Sequence, residues 1–352
     1  MIKTHLTRFY LSANTPLGFV SRLNLLCDAD RFSRILLLKG GTRKRRAELI
    51  SYAAKAAGAA GHCVHLAASV DSVNQPEAAY WANAAIIDSA QPHAIEPRYP
   101  GAVEELLCLD DCFNAQRLRQ NKADVIALTD KEESLREQSR RYLCAADALC
   151  SDNYRIALEA TDLEKIERQA DRIAAKVFKG DKAIEEIRIF SDGYRLLPEL
   201  ASMDFIKNVI LLEDEYGPSS GLLLKALHKR ALNCNCHIIC GYSPLAPFER
   251  LEQLIFPELS LAFLTTNERL MVGCEPQRII NARRFTDKRA LSAYKNRIAF
   301  NRKAARQMFQ QSHSLLQSAQ KAHAGLELLY DEALDRARFS RLCERAASIV
   351  SL

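Results

Sequence analysis

A chain of 352 residues, 48% hydrophobic and 26% charged, has the composition of folded protein and is too long for one ordinary core, so two domains are expected and fibrous or disordered classes are excluded. The net charge of +6 permits an anionic partner without demanding one. No run approaches the ~20 apolar residues of a membrane helix, and the opening MIKTHLTRFYLSANTPLGF lacks the apolar stretch of a signal peptide, which leads us to expect a cytoplasmic protein with no membrane contact. Eleven cysteines scattered along the chain, among them Cys63, Cys144 and Cys240, read as reduced buried thiols rather than a disulfide frame.

In chain order, RILLLKGG (34 to 41) predicts a strand running into paired glycines, followed by the helix RKRRAELISYAAKAAGAAG. Two more strands are predicted at HCVHLAAS (62 to 69) and NAAIIDSA (83 to 90), with a short helix between them, and a long helical run occupies 116 to 180. The second half repeats the order at an offset of about 175 residues: NVILLEDE (208 to 215), the helix SSGLLLKALHKRALN, CHIICGYS (236 to 243), SLAFLTTN (260 to 267) and a helical run over 286 to 351. Strands alternating with helices predict parallel β/α units, and two copies predict a duplicated α/β architecture, 1 to 183 and 184 to 352, each unit closed by its own helical appendage. Cys234, Cys236, His237 and Cys240 crowd one segment, but CNCHIIC alternates as a buried strand does, and no second ligand pair follows at zinc-knuckle spacing, so no metal site is assigned.

The segments RFYLSANTPLGFV (8 to 20), PHAIEPRYPGAVEELLCLDD (92 to 111), IFPELSLAFLTTNE (255 to 268) and AYKNRIAFNRKAARQMF (293 to 309) resemble a group of bacterial tandem P-loop proteins labelled ATP-binding or ATPase-like. The resemblance spans nearly the whole chain. It implies two P-loop NTPase-like domains in one chain, with ATP and Mg²⁺ as the cofactors such a fold would hold.

A working P-loop reads G-x-x-x-x-G-K-[ST]: backbone N–H groups wrap the phosphates at a helix N-terminus, the lysine reaches the outer phosphates and the hydroxyl ligates Mg²⁺. The residues that would touch a nucleotide are Gly40, Gly41, Thr42, Lys44, Arg45 and Asp88 in the first copy, and Gly217, Ser219 and Ser220 in the second. Both copies depart from the pattern. Lys44 comes two places too early after Gly40, Arg43 replaces the glycine before the lysine, and Arg45 puts a cation where the metal hydroxyl belongs. In the second copy Ser220 stands at the lysine position, Gly221 at the hydroxyl position, and Glu213, Asp214 and Glu215 set carboxylates where phosphates would lie. Asp88 ends its strand as a Walker-B-like carboxylate, with Asp110 and Asp111 as rivals, and its counterpart is Thr265.

Neither copy supplies lysine and metal hydroxyl together, so no catalytic residue is assigned and the chain reads as a degenerate P-loop protein with a binding or structural role. The alternatives are an active ATPase or nucleotide kinase with an altered loop, and a nucleic-acid-binding protein that uses the cluster Arg43, Lys44, Arg45 and Arg46. That cluster reads either as a solvated basic face or as a retained anion site for phosphate, nucleotide or nucleic acid. His93 and Arg98 lie in a proline-rich turn on the side of the sheet where α/β ligands bind.

Overall fold

The computed structural model describes residues 7–180, 185–191, 206–270 and 275–350, and the expected boundary at 183/184 falls outside them. The first half runs β1 (Thr7–Phe9), the hairpin β2 (Ser12–Thr15) and β3 (Gly18–Ser21), β4 (Arg34–Lys39), α1 (Arg43–Ala59), β5 (His65–Ala68), β6 (Pro76–Trp81), β7 (Ala84–Asp88), β8 (Glu104–Cys108), α2 (Ala115–Gln120), α3 (Lys122–Glu159) and α4 (Leu163–Val177). The second runs β9 (Glu185–Phe190), β10 (Asn208–Glu213), α5 (Pro218–Ala231), β11 (His237–Tyr242), β12 (Leu251–Phe256), β13 (Leu261–Thr266), β14 (Arg278–Asn281), α6 (Lys288–Ser292), α7 (Lys295–Ala333) and α8 (Arg336–Val350). The protein is α/β, with two mixed, mainly parallel sheets of six strands.

The sheets have the orders β1-β5-β6-β7-β4-β8 and β9-β11-β12-β13-β10-β14, with matching strand directions throughout. In each, the strand before the first helix lies between two parallel neighbours, which opens a crevice beyond its carboxyl end. The expected short helix between the second and third strands is instead a strand, β6 or β12, antiparallel to both neighbours. Every residue of β6 is buried, so packing on both faces decides its form.

The helical runs do not close their own halves. α3 and α7 pack along each other, with the Ser139 and Ser312 hydroxyls 2.8 Å apart and buried. Each then delivers its successor to the other sheet: Ile166, Ala170 and Ile173 of α4 enter the second core, while Phe339, Cys343 and Ala346 of α8 enter the first. Four backbone bonds of 2.7–2.8 Å pin the two ends, Asn114 N–H to Ala333 O, Asp335 N–H to Cys112 O, Asp162 N–H to Phe285 O and Asp287 N–H to Ala160 O. The apolar faces of these helices were legible in the sequence, but their destination was not, because periodicity says that a face is buried and not against what.

The sheets also meet at their β1 and β9 edges, where Phe190 N–H donates to Tyr10 O at 2.8 Å. Buried Arg22 donates to the carbonyls of Ile189 and Pro247 and stacks over Phe190 and Tyr242. One expectation about the cysteines is corrected here: Cys234 and Cys236 form a disulfide just ahead of β11, while eight other described cysteines are free. Among the described residues no helix is long and apolar enough to cross a membrane.

This exchange couples the cores. Ile166→Ala should cost about 2–5 kcal/mol by leaving a cavity in the second core, and should lower the urea midpoint of Trp81, the chain's single tryptophan, although Trp81 lies in the first core. A Trp81 fluorescence midpoint that stayed at the wild-type value while the circular dichroism midpoint fell would show that the two units unfold independently.

Candidate functional site

At the end of β4 the chain turns through Gly40 (φ +69°) and Gly41 (φ +58°). A Cβ on Gly40 would lie 2.4 Å from Asp110 Oδ1, so only glycine admits this carboxylate, which accepts the Gly41 N–H at 2.9 Å. Thr42 caps α1, its hydroxyl accepting from Arg45 N–H at 3.4 Å. The next helical donor, Lys44 N–H, is bonded 3.0 Å away to Glu327 Oε1, carried on α7. Two carboxylates therefore accept the N–H groups that a P-loop offers to phosphate.

The four cations that follow are all engaged. Arg43 pairs with Asp71 and with Glu132 of α3. Lys44 Nζ lies 2.5 Å from Asp331 and Arg45 Nη2 lies 2.7 Å from the same carboxylate, again on α7. Arg46, only 5% exposed, turns back under the loop, donating to Asp88 Oδ1 at 2.7 Å and to Gly40 O at 2.8 Å. A guanidinium thus faces Asp88 where a metal ion would. In the structure the charges of the cluster are matched by carboxylates from within the chain.

The matching groups form one connected network. Arg136 bridges Asp71 (2.6 Å) and Glu132 (2.8 Å), Glu132 meets His323 Nδ1 at 2.8 Å, and His323 Nε2 meets Glu327 at 3.0 Å. Burial works against the Glu132 charge, yet His323, Arg43 and Arg136 hold its carboxyl down at about 2. Burial likewise opposes the His323 charge, but Glu132 and Glu327 raise its pKa overall.

The second loop solves the same problem locally. Gly217 (φ +93°) and Pro218 open α5, and the buried Asp214 carboxylate accepts Ser220 N–H at 2.7 Å and Tyr216 N–H at 3.2 Å. Ser220 Oγ bonds back to Gly217 O and Ser219 is buried, so neither hydroxyl is presented as a P-loop hydroxyl would be. Glu213 pairs with Asn281, and Glu215 with Arg302.

The remote network is missing here. Counted along the same 173-residue separation that relates Ser139 to Ser312, the places of Glu132, Arg136, His323, Glu327 and Asp331 are held by Ala305, Phe309, Cys150, Tyr154 and Leu158. Beside Gly217 and Ser220 a cleft of about 490 Å³ remains, walled by Arg250, Arg269, Arg302 and Arg306 among others. Arg306 pairs with Glu268 and Arg269 with Glu252, while Arg250 lies over the Tyr154 ring at 4.2 Å. Thr265, matched to Asp88 by strand register, lines this cleft, and its buried hydroxyl has no hydrogen-bond partner among the described residues.

Two buried glutamates escaped the sequence reading. Glu77 and Glu252 are each the second residue of β6 and β12, and each accepts a serine hydroxyl, from Ser12 (2.5 Å) and Ser191 respectively. A carboxylate in the same place of both repeats, within largely apolar strands, was the available signal. The His93 side chain is buried, its Nδ1 2.9 Å from Ser21 Oγ and its Nε2 3.8 Å from Glu77, with burial pushing its pKa down to about 4. Arg98 stacks on its neighbour Tyr99. No family model, curated protein or solved structure matches the chain.

Burial, abetted by Asp88, raises the Glu77 carboxyl to about 8 against the hydroxyl of Ser12 and the charge of Arg43. The folded chain therefore keeps this proton after the unfolded chain has released it near 4.5, so stability falls as pH rises from 4.5 to 8, by at most about 1.4 kcal/mol per pH unit. Glu77→Gln keeps the shape and removes the proton. Thermal melts from pH 5 to 8.5 should show wild type losing ground steadily to the variant, and parallel curves would refute a neutral Glu77.

Proposed function

We propose that the protein is a non-catalytic, P-loop-like tandem protein in which the first nucleotide place has become a structural joint and the second remains a binding cleft for a phosphate-bearing anion. The observation that carries this reading is the pair of carboxylates, Asp110 and Glu327, that accept the Gly41 and Lys44 N–H groups at the start of α1. The identical strand order of the two sheets supports descent of 1 to 183 and 184 to 352 from one duplicated unit.

Hydrolysis is disfavoured on chemical grounds. Phosphoryl transfer needs a lysine on the outer phosphates and a hydroxyl on Mg²⁺, whereas Lys44 is bonded to Asp331 and Asp88 to Arg46. An ATPase or nucleotide kinase would have to break these pairs before binding substrate. A nucleic-acid role for residues 43 to 46 fares no better, since phosphates would compete with partners already in place. In the second cleft, Arg250 offers a guanidinium that lies over Tyr154 and acts on Asp147 at longer range but enters no ion pair among the described residues, and Thr265 offers a hydroxyl with no hydrogen-bond partner among them.

Full-length protein with ATP or GTP and Mg²⁺ should show no turnover above background. Calorimetry with ATP and with inorganic phosphate should give weak binding that falls steeply between low and physiological salt and drops at least tenfold in Arg250→Ala. Turnover at ordinary enzyme rates that Lys44→Ala abolishes would overturn the reading, as would anion binding that Arg250→Ala leaves intact.

A further inference from the structure

Away from both loops, three side chains with different donor atoms converge on the second sheet. Glu186 of β9, His228 in the last turn of α5 and Cys240 of β11 each bring one ligand atom, and these atoms all lie within 4.8 Å of one another. We propose that Glu186, His228 and Cys240 form a binding site for a zinc-like divalent cation.

The donor set points to this class of ion. One thiolate, one imidazole and one carboxylate suit a borderline-soft cation such as Zn²⁺, and fit Mg²⁺ or Ca²⁺ poorly. Bonds of about 2.0–2.3 Å to a tetrahedral zinc set ligand atoms roughly 3.3–3.6 Å apart, so the present spacing needs only side-chain adjustment. His228 Nε2 and Glu186 Oε2 are already 2.9 Å apart. The outer oxygen of Glu186, Oε1, accepts from Arg188 Nε at 2.8 Å, which leaves Oε2 directed at the other two ligands. About a fifth of the Glu186 and His228 side chains is exposed, so ions can enter and water can supply a fourth ligand, while Cys240 forms the buried floor.

Cys240 packs in the second core, and what sets it apart from an ordinary core thiol is a sulfur that lies beside the Glu186 carboxylate and the His228 imidazole. The matching strand position in the first sheet, fixed by the shared register shift after Gly241 and after Ala67, is Leu66, an aliphatic residue packed against the first core. Binding would release the Cys240 thiol proton to solvent as the sulfur–metal bond forms, and His228 would give up the Nε2 proton it shares with Glu186 and stay neutral with its proton on Nδ1, Glu186 exchanging its contact to His228 for one to the ion. No redox step is involved.

Cobalt(II) is the probe. Added to reduced, full-length protein, it should bind at one equivalent and give a near-ultraviolet sulfur-to-cobalt band. Cys240→Ser should abolish the band, and His228→Gln, at a partly exposed position that leaves the core intact, should weaken binding at least tenfold. Cys234→Ser/Cys236→Ser should keep the band, which separates this site from the neighbouring cysteines. Zinc should displace the cobalt and raise the melting temperature of wild type but not of His228→Gln. The proposal is overturned if wild type shows no sulfur band, if the band survives Cys240→Ser, or if it disappears with Cys234 and Cys236.

Discussion

A helix N-terminus that carries four consecutive cations is electrostatically unfavourable, and much of the first unit is arranged around that fact. The dipole of α1 already places roughly half a positive charge there, and Arg43, Lys44, Arg45 and Arg46 add to it. Compensation comes from Asp71, Asp88 and Asp110 within the unit, and from Glu132, Glu327 and Asp331 on the long helices. Buried ion pairs add little net stability, but breaking one leaves an uncompensated charge at a cost of about 3–5 kcal/mol. Their effect is to fix where the end of α7 must sit.

That requirement explains why the crossing of α3 and α7 matters to the sites as well as to the cores. Each helix starts beside one sheet and ends beside the other, so some of the residues that reach a loop from above are encoded in the opposite half of the chain. In the first unit they are Glu327 and Asp331, which occupy the loop. In the second, α3 brings Tyr154 close to Gly217 and leaves the rest open. The sheets are alike in topology, and the difference between the two sites lies in the overhanging helices.

This division sets what a single sequence reveals. β4 and β10 were legible because RILLLK and NVILLE are unbroken aliphatic runs that end at turn-forming residues. Asp88 and Thr265 hold the same register position in β7 and β13, whose strands align without gaps. β6 and β12 were missed because a glutamate after the first residue of an apolar run reads as well for a short amphipathic helix as for a strand buried on both faces. The glycines and cations of the first loop were visible, but their occupants were not, since Glu327 and Asp331 lie more than 280 residues away in sequence. Local pattern reports which groups need partners; it carries no information on which distant helix supplies them.

The two ways of satisfying a helix N-terminus also differ in what they leave possible. Asp214 lies six residues from Ser220, so it caps α5 wherever α3 and α7 happen to be, and the cleft beside it can accept or lose an occupant without disturbing the cap. Glu327 and Asp331 reach α1 only through the correctly docked end of α7. An external phosphate competing for that place would have to outbid carboxylates held at high effective concentration by the fold, and would part Lys44 and Arg45 from Asp331 and His323 from Glu327 as it did so. On the proposed reading, exclusion of ligand from the first loop and anchoring of the long helix are one set of contacts, and reopening the first site would loosen the joint between the two sheets.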